Sequence, residues 1–268
     1  MRISITGFRG ELGSFLKTYF SKKFEVSTSL EDFSECDVLM HALSKHPVHT
    51  NSEILYSNIT FSKKILRRFW HENKSRRKLV ILFSTVSFYD PKVKYHNEEA
   101  PIVIDNLYKM TKIWLENYIK SVFTDYANLR LPGILEEKNS RSLLPKIFDK
   151  LYRNENIQIT SNRKFNYFVS KETVCHFCEK VIEKYTFNKR VNLTANVYDN
   201  SNESLDEIVY LLKEMLGSKG QIKVNKDNEG RGNILVTDYH ELLPVKRHLD
   251  QNLHSWVERR LKHYAFPR

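Results

Sequence analysis

Glycine, proline and cysteine are scarce in this chain of 268 residues, at 8, 7 and 3 copies. The cysteines, Cys36, Cys175 and Cys178, are too few and too irregularly spaced for a disulfide framework, which argues for a reducing compartment. Long apolar runs are missing too. None is long enough to cross a bilayer, and Met1 and Arg2 lead into a strand with no apolar signal stretch, so a cytoplasmic protein without membrane insertion is expected. No low-complexity tract, linker or internal repeat stands out. Acidic residues fall short of basic ones, 32 against 43, for a net charge of +11. That surplus suits an anionic partner such as a phosphorylated small molecule, although a lysine-rich proteome gives the same figure. With 41% hydrophobic and 12% aromatic residues, the chain can bury a sizeable core.

The scarcity of glycine makes its one cluster informative. Gly7, Gly10 and Gly13 lie between a short β-type run, Ile3 to Ile5, and the helix-like stretch Ser14 to Phe24. Strand, glycine turn and helix form a pyrophosphate-binding device. Gly7 lets the chain turn tightly, Gly10 lets backbone approach phosphate, and Gly13 lets the helix pack on its strand. The helix N-terminus then offers free N–H groups to the anion. The first interval is one residue longer than in the common dinucleotide fingerprint, and a plain turn is the competing reading.

Strands are expected at Glu25 to Ser29 and Asp37 to Leu43, with a crossover of only seven residues, LEDFSEC, between them. Where an NAD site usually places an acid, the second strand ends in Ser27, Thr28 and Ser29. Arg9 adds a cation in the glycine turn, and together they favour a 2′-phosphate and hence NADPH. Apolar residues from Ile54 to Trp70 recur at helical spacing, predicting one long helix over residues 51–73. Its end carries Lys63, Lys64, Arg67, Arg68 and Lys74, followed by Arg76, Arg77 and Lys78. A solvated face is expected there rather than a nucleic-acid surface, because Phe69 and Trp70 fit a buried stripe.

Lys78 to Ser84 (KLVILFS) reads as a central parallel strand covered on both faces, with Thr85 at its end. A helix over residues 102–123 and a strand in YANLRLPGI follow. Later elements are a helix at 143–152, strands at 156–160 and 190–194, and helices at 168–184, from the capping box Ser204/Glu207 to Gly217, and at 242–264. The alternation predicts an α/β fold, a Rossmann-like doubly wound parallel sheet with a smaller C-terminal substrate-binding domain. Residues 1–133 form the NAD(P)-binding domain and 134–268 the substrate-binding region, with the strand near 190–194 free to return to the main sheet.

Tyr108, Lys112 and Glu116 recur at intervals of four, which puts them near one helix face. A tyrosine can move the proton of a sugar or alcohol hydroxyl if a nearby ammonium draws its pKa of about 10 toward neutrality. Lys112 stands one turn away, and Thr85 can hydrogen-bond the same substrate oxygen. Cys175 and Cys178 flank His176 in CHFC, too few ligands for a closed metal site, so buried helix packing is expected and no metal. His41 reads as core or cofactor-adjacent.

TGFRGELG at Thr6 to Gly13, DVLMHAL, Asn58, FSTVSFY, YKMTKIWLE, NLRLPGI and SLDEIVYLLKEMLG occur in an order that resembles the extended short-chain dehydrogenase/reductase superfamily. Within it, the chain is similar to the NAD(P)-dependent epimerase/dehydratase family that acts on nucleotide sugars. The resemblance implies that Thr85, Tyr108 and Lys112 are catalytic. It implies that Gly7, Arg9, Gly10, Glu11, Leu12, Gly13, Ser29, Ala42, Leu43 and Asn58, with Tyr108 and Lys112, line the cofactor. It further implies a homodimer through the helices at 51–73 and 102–123 and a place in surface polysaccharide or glycan precursor synthesis.

Departures from the family pattern narrow the reaction. Val86 and Ser87 stand where the 4,6-dehydratases carry an Asp-Glu pair, so dehydration is not expected. Ser87 also replaces the cysteine of the branch resembling GDP-fucose synthase. Asn166 replaces an arginine that often contacts the nucleotide diphosphate. What remains is 4-keto reduction or 4-epimerisation of a nucleotide-activated sugar with NADP preferred over NAD. A dinucleotide-sensing protein that keeps the fold without turnover is the alternative, and a basic nucleic-acid binder a more distant one.

Overall fold

The computed structural model describes residues 1–72, 76–139, 141–161, 164–226, 233–244 and 248–265. The chain divides into two compact units whose segments alternate along the sequence. The first comprises Met1–Tyr89, Ile102–Arg130 and Cys175–Asn196, and the second Asp90–Pro101, Leu131–Val174 and Val197–Arg268.

The first unit holds a six-stranded parallel sheet. Its strands run in the order Asn192–Asn196, Asp125–Leu131, Leu79–Thr85, Val38–His41, Arg2–Thr6 and Glu25–Ser27. All seven residues of Leu79–Thr85 are buried, as its continuous apolar sequence requires at the centre of a parallel sheet. The chain runs from Arg2–Thr6 outward to Glu25–Ser27, then returns to the other side of Arg2–Thr6 for Val38–His41. Strand order therefore reverses beside the first strand, and the carboxyl ends there form the crevice in which doubly wound folds take ligands. No helix lies between the second and third strands, in keeping with their seven-residue crossover.

Helices cover the sheet. Ile65, Leu66 and Phe69 of Ser62–His71 and Leu115 and Ile119 of Leu107–Val122 pack with Phe33, Leu39, Val80, Leu82 and Phe123. The single helix expected over 51–73 is instead three pieces: Asn51–Leu55, a π-helical segment Tyr56–Phe61, and Ser62–His71. Asn73 lies outside the described residues. Ser62 Oγ donates to Ser57 O at 2.8 Å within this widened turn. The helix expected from 102 begins at Leu107, because Asn106 caps it by accepting the Lys109 N–H at 3.0 Å. The basic run is not uniformly solvated. Arg77 pairs with Asp125, and Lys78 is buried, its ammonium bonded to the Phe69 carbonyl; Trp70 is 39% exposed. Lys74 lies outside the described residues.

The second unit has its own core. Leu144, Phe148 and Leu151 of Leu143–Tyr152, Ile208 and Leu212 of Leu205–Leu216, and Leu253 and Trp256 of His248–Ala265 pack around Ile157–Ser161, which pairs with Ile222–Lys226. Two shorter pairs, Tyr95–His96 with Ile234–Leu235 and Gly133–Ile134 with Phe168–Val169, carry too little sequence to be foreseen. The Ser204/Glu207 capping box is formed, and Gly217 ends that helix in the left-handed region at φ 58°. The last helix begins at His248 rather than Leu242, where a short 3-10 turn His240–Leu242 stands; residues 245–247 lie outside the description.

In the glycine turn of the first unit, backbone packs on backbone. A Cβ at Gly13 would stand 2.2 Å from Gly7 O, whereas one at Gly10 would stand 3.2 Å from the same atom. Gly13→Ala is therefore expected to destabilise the protein by about 1–3 kcal/mol, and Gly10→Ala by clearly less, both measured by urea unfolding.

Candidate active site

Every residue singled out for the site by sequence except Asn166 lies in the first unit. Gly7 has φ 71°, a conformation that favours glycine, and a Cβ there would stand 2.6 Å from the backbone C and O of Ala42 and 2.7 Å from Leu43 N. The turn after Arg2–Thr6 thus presses directly on the chain leaving Val38–His41, at the point where strand order reverses. Gly10 N donates to Gly7 O at 2.9 Å and closes the turn. Gly10 is also the N-cap of Glu11–Phe20, and no side chain caps that helix. Its first-turn N–H groups, at Glu11, Leu12 and Gly13, are those a phosphate would take. Arg9 is exposed, its guanidinium carbon 5.8 Å from the Phe8 ring centroid. Ser29 lies two residues past its strand, and its Oγ accepts the N–H groups of Glu31 and Asp32 at 3.1 and 3.2 Å.

Asn58 sits in the π-helical segment and is buried. Its Oδ1 accepts Lys45 N–H at 2.7 Å, while its Nδ2 donates to Lys45 O and to Thr111 Oγ1, both at 3.1 Å. One side chain thus clamps the loop after Val38–His41 and ties it to the helix Leu107–Val122. The extra residue of the π turn brings this amide inward, a placement typical of functional sites. Its polar atoms are committed to protein, so its part is to shape the loop. The next loop residue after Lys45 is His46, whose ring stacks on Tyr108 with centroids 5.6 Å apart at 24°. Nothing in the sequence marked this histidine; its only signal is its place in the loop after a strand end.

Thr85 ends the central strand, its hydroxyl close enough to Tyr108 to act on the phenol. Its Oγ1 also donates to Ser87 Oγ at 3.0 Å and accepts Ser87 N–H at 3.1 Å. Lys112 is 3% exposed, its Nζ donating to the Phe83 carbonyl at 2.9 Å and standing 5.8 Å from the Tyr108 ring centroid. Thr85, Tyr108 and Lys112 are therefore brought together. Their electrostatics differ from the sequence reading: burial pushes the Tyr108 phenol up to about 12, against the smaller opposing effect of the Thr85 hydrogen bond. Lys112 does not draw it down. Burial lowers the ammonium itself to about 8, with Glu116 opposing that shift.

His41 belongs to the core. It is fully buried, with Nδ1 2.9 Å from Thr6 Oγ1 and Nε2 2.9 Å from Ser62 Oγ, and burial takes its imidazole down to about 3. Cys175 and Cys178 are buried in the helix Lys171–Thr186, and burial raises the Cys178 thiol. In the second unit Asn166 is fully buried and works as a piece of strand edge. Its Nδ2 donates to Leu235 O at 2.7 Å and its Oδ1 accepts Leu235 N–H at 3.0 Å. That amide is occupied by backbone, so it does not replace the phosphate contact of the arginine for which it stands.

No protein-family model matches the chain, and no curated protein matches it. Solved structures share its fold over nearly its whole length. The UDP-N-acetylglucosamine 4-epimerase of Methanobrevibacter ruminantium, in complex with UDP-N-acetylmuramic acid, is 16% identical with a TM-score of 0.77, covering 98% of each chain. The UDP-glucuronic acid 4-epimerase of Bacillus cereus, in complex with NAD, is 15% identical with a TM-score of 0.75, covering 98% of this chain and 100% of its own. A dTDP-4-dehydrorhamnose reductase of Clostridium acetobutylicum is 16% identical with a TM-score of 0.73, covering 96% of this chain and 99% of its own. The Rossmann-like fold expected from the sequence is thus the observed one.

Proposed function

We propose that the protein is a nicotinamide-dinucleotide-dependent reductase or epimerase acting at carbon 4 of a nucleotide-activated sugar, in the supply of glycan or surface polysaccharide precursors. The observation that carries the proposal is the convergence of Thr85, Tyr108 and Lys112 in the unit whose glycine turn opens at the strand-order reversal. The fold shared with nucleotide-sugar 4-epimerases and a 4-keto-sugar reductase supports it.

The residues fit a dinucleotide. Gly7 and Gly13 leave no room for a Cβ, and the helix that starts at Glu11 has no side-chain cap, so a pyrophosphate would meet the backbone of its first turn without a capping side chain in the way. Gly7, Gly10, Glu11, Leu12 and Gly13 would hold it, beside Ala42 and Leu43. Arg9 and the serine-rich end of the second strand, without an acid at Ser29, support NADP over NAD. When bound, the nicotinamide supplies a hydride donor or acceptor.

The chain's own groups handle the proton. At neutral pH Tyr108 is a phenol, since burial pushes it up to about 12, which suits a donor to the oxygen of a 4-keto sugar. Thr85, at the strand end beside Tyr108, would hold the same oxygen. Lys112 stays charged below about 8 and would line the cofactor one helical turn from Tyr108. The same groups in reverse deprotonate a 4-hydroxyl, as epimerisation requires in its first half. Val86 and Ser87 supply no carboxyl pair for water elimination. The first unit would bind the dinucleotide and the second the sugar nucleotide. A homodimer is supported by apolar side chains exposed along the helices at 51–71 and 107–122, among them Leu55, Tyr56, Trp70 and Met110.

Arg9→Ala is expected to weaken NADPH binding about tenfold or more and NADH binding little, because only the former offers a phosphate to the guanidinium; fluorescence titration of both measures it, and equal losses would overturn the NADP preference. Tyr108→Phe keeps the ring and is expected to leave NADPH affinity unchanged while lowering turnover by about 10²-fold to 10⁴-fold. Turnover of an active substrate at the wild-type rate would remove Tyr108 from the chemistry and favour a dinucleotide sensor.

A further inference from the structure

Glu116 and Arg130 form an ion pair in which both side chains are almost wholly buried, at 2% and 7% exposure. Arg130 Nη2 is 2.9 Å from Glu116 Oε2, and its Nε is 3.2 and 3.3 Å from the two carboxylate oxygens. Arg130 Nη1 donates to Tyr89 OH at 2.9 Å, and that hydroxyl donates to Asn196 Oδ1 at 2.8 Å. The guanidinium also stacks over Phe88, 4.9 Å from its ring centroid. Tyr89, Arg130 and Asn196 are the last residues of the three segments of the first unit. Glu116 lies one helical turn beyond Lys112, on the same face of Leu107–Val122.

A buried ion pair is a poor way to gain stability, since apolar residues of similar volume usually do as well or better. Its position suggests another use. We propose that Glu116 and Arg130 are a positioning pair for Lys112: the carboxylate steadies the catalytic ammonium, and the guanidinium, held by Tyr89, neutralises that carboxylate enough to keep it from capturing the lysine. This rests on the reading of Lys112 given above and goes beyond it by placing the control of its charge in residues that sit behind it. With the carboxylate alone, Lys112 would be drawn toward Glu116 and away from the Phe83 carbonyl and Tyr108. With the guanidinium alone, it would face a buried like charge and lose its proton.

The groups that face Lys112 are few. Tyr108 and Glu116 share its helix, the Phe83 carbonyl comes from the central strand, and His41 comes from Val38–His41. Burial takes His41 down to about 3 and Tyr108 up to about 12, so between pH 7 and 10 the formal charge acting on Lys112 is that of Glu116, itself paired with Arg130. The folded ammonium is lowered from 10.5 to about 8, so charging it opposes folding. Its contribution to stability is least favourable below about 8 and improves as pH rises from there to 10.5, the range over which the unfolded chain binds the extra proton.

This linkage gives a test that needs no turnover. Urea unfolding is followed against pH for the wild type, Glu116→Gln and Arg130→Gln, each with and without Lys112→Met, and the difference within each pair isolates the lysine. The pH at which the lysine contribution begins to improve is expected to fall by about one unit in Glu116→Gln and to rise by about one unit in Arg130→Gln. Shifts in the same direction, or no shift, would overturn the proposal and leave a merely structural pair. If either variant fails to fold, Tyr89→Phe takes its place. It removes only the hydroxyl that holds Arg130 and is expected to move the lysine in the direction of Arg130→Gln by a smaller amount; an unmoved lysine would again overturn the proposal. Failure to turn over any nucleotide sugar would count against the proposed function and leave this result intact.

Discussion

The structure depends on the close approach of Gly7 to the backbone of Ala42 and Leu43, with Gly13 stacked behind it against Gly7 O. No side chain fits at either contact, so the first strand, the helix that follows it and the end of the third strand meet there backbone to backbone. That contact sits where strand order reverses. It leaves a helix N-terminus without a side-chain cap beside the carboxyl ends of two parallel strands, the combination in which a pyrophosphate is held without any charged residue being obligatory. Asn58 then carries the geometry across to the helix Leu107–Val122, because one amide joins the loop after the third strand to Thr111, one position before Lys112.

Burial governs the electrostatics of this site. The two groups proposed to move and stabilise a proton shift in opposite senses from their ordinary values, the phenol upward and the ammonium downward, and each shift has desolvation as its largest cause. The pair is therefore set as phenol and ammonium at neutral pH. An ion pair of zero net charge behind the lysine changes that balance less than either charge alone would.

Much of the fold was legible because its signals are local. A fully apolar strand such as KLVILFS, a capping box at Ser204 and a glycine cluster in a glycine-poor chain each report their own surroundings. The expected sheet, the abbreviated crossover and the meeting of Thr85, Tyr108 and Lys112 follow from such signals. What was not legible depends on contacts distant in sequence. From the π-helical turn Asn58 reaches a loop thirteen residues earlier, and hydrophobic spacing alone reads straight through that turn as one helix. His46 acquires meaning only from the ring it stacks on. The upward shift of Tyr108 was hidden for the same reason, since spacing reveals the lysine one turn away but not the burial that outweighs it. At Asn166 the sequence showed only the replacement of an arginine, and the structure reveals a side chain completing a strand edge.

The central claim is that this arrangement moves hydride and proton at carbon 4 of a nucleotide sugar. It is tested most directly by incubating the protein with NADPH or NADH and a panel of nucleotide sugars and their 4-keto forms, following nicotinamide absorbance together with NMR of the sugar. Reduction or inversion confined to carbon 4 is the predicted result. Dinucleotide binding with no change at carbon 4 in any member of the panel would contradict the claim.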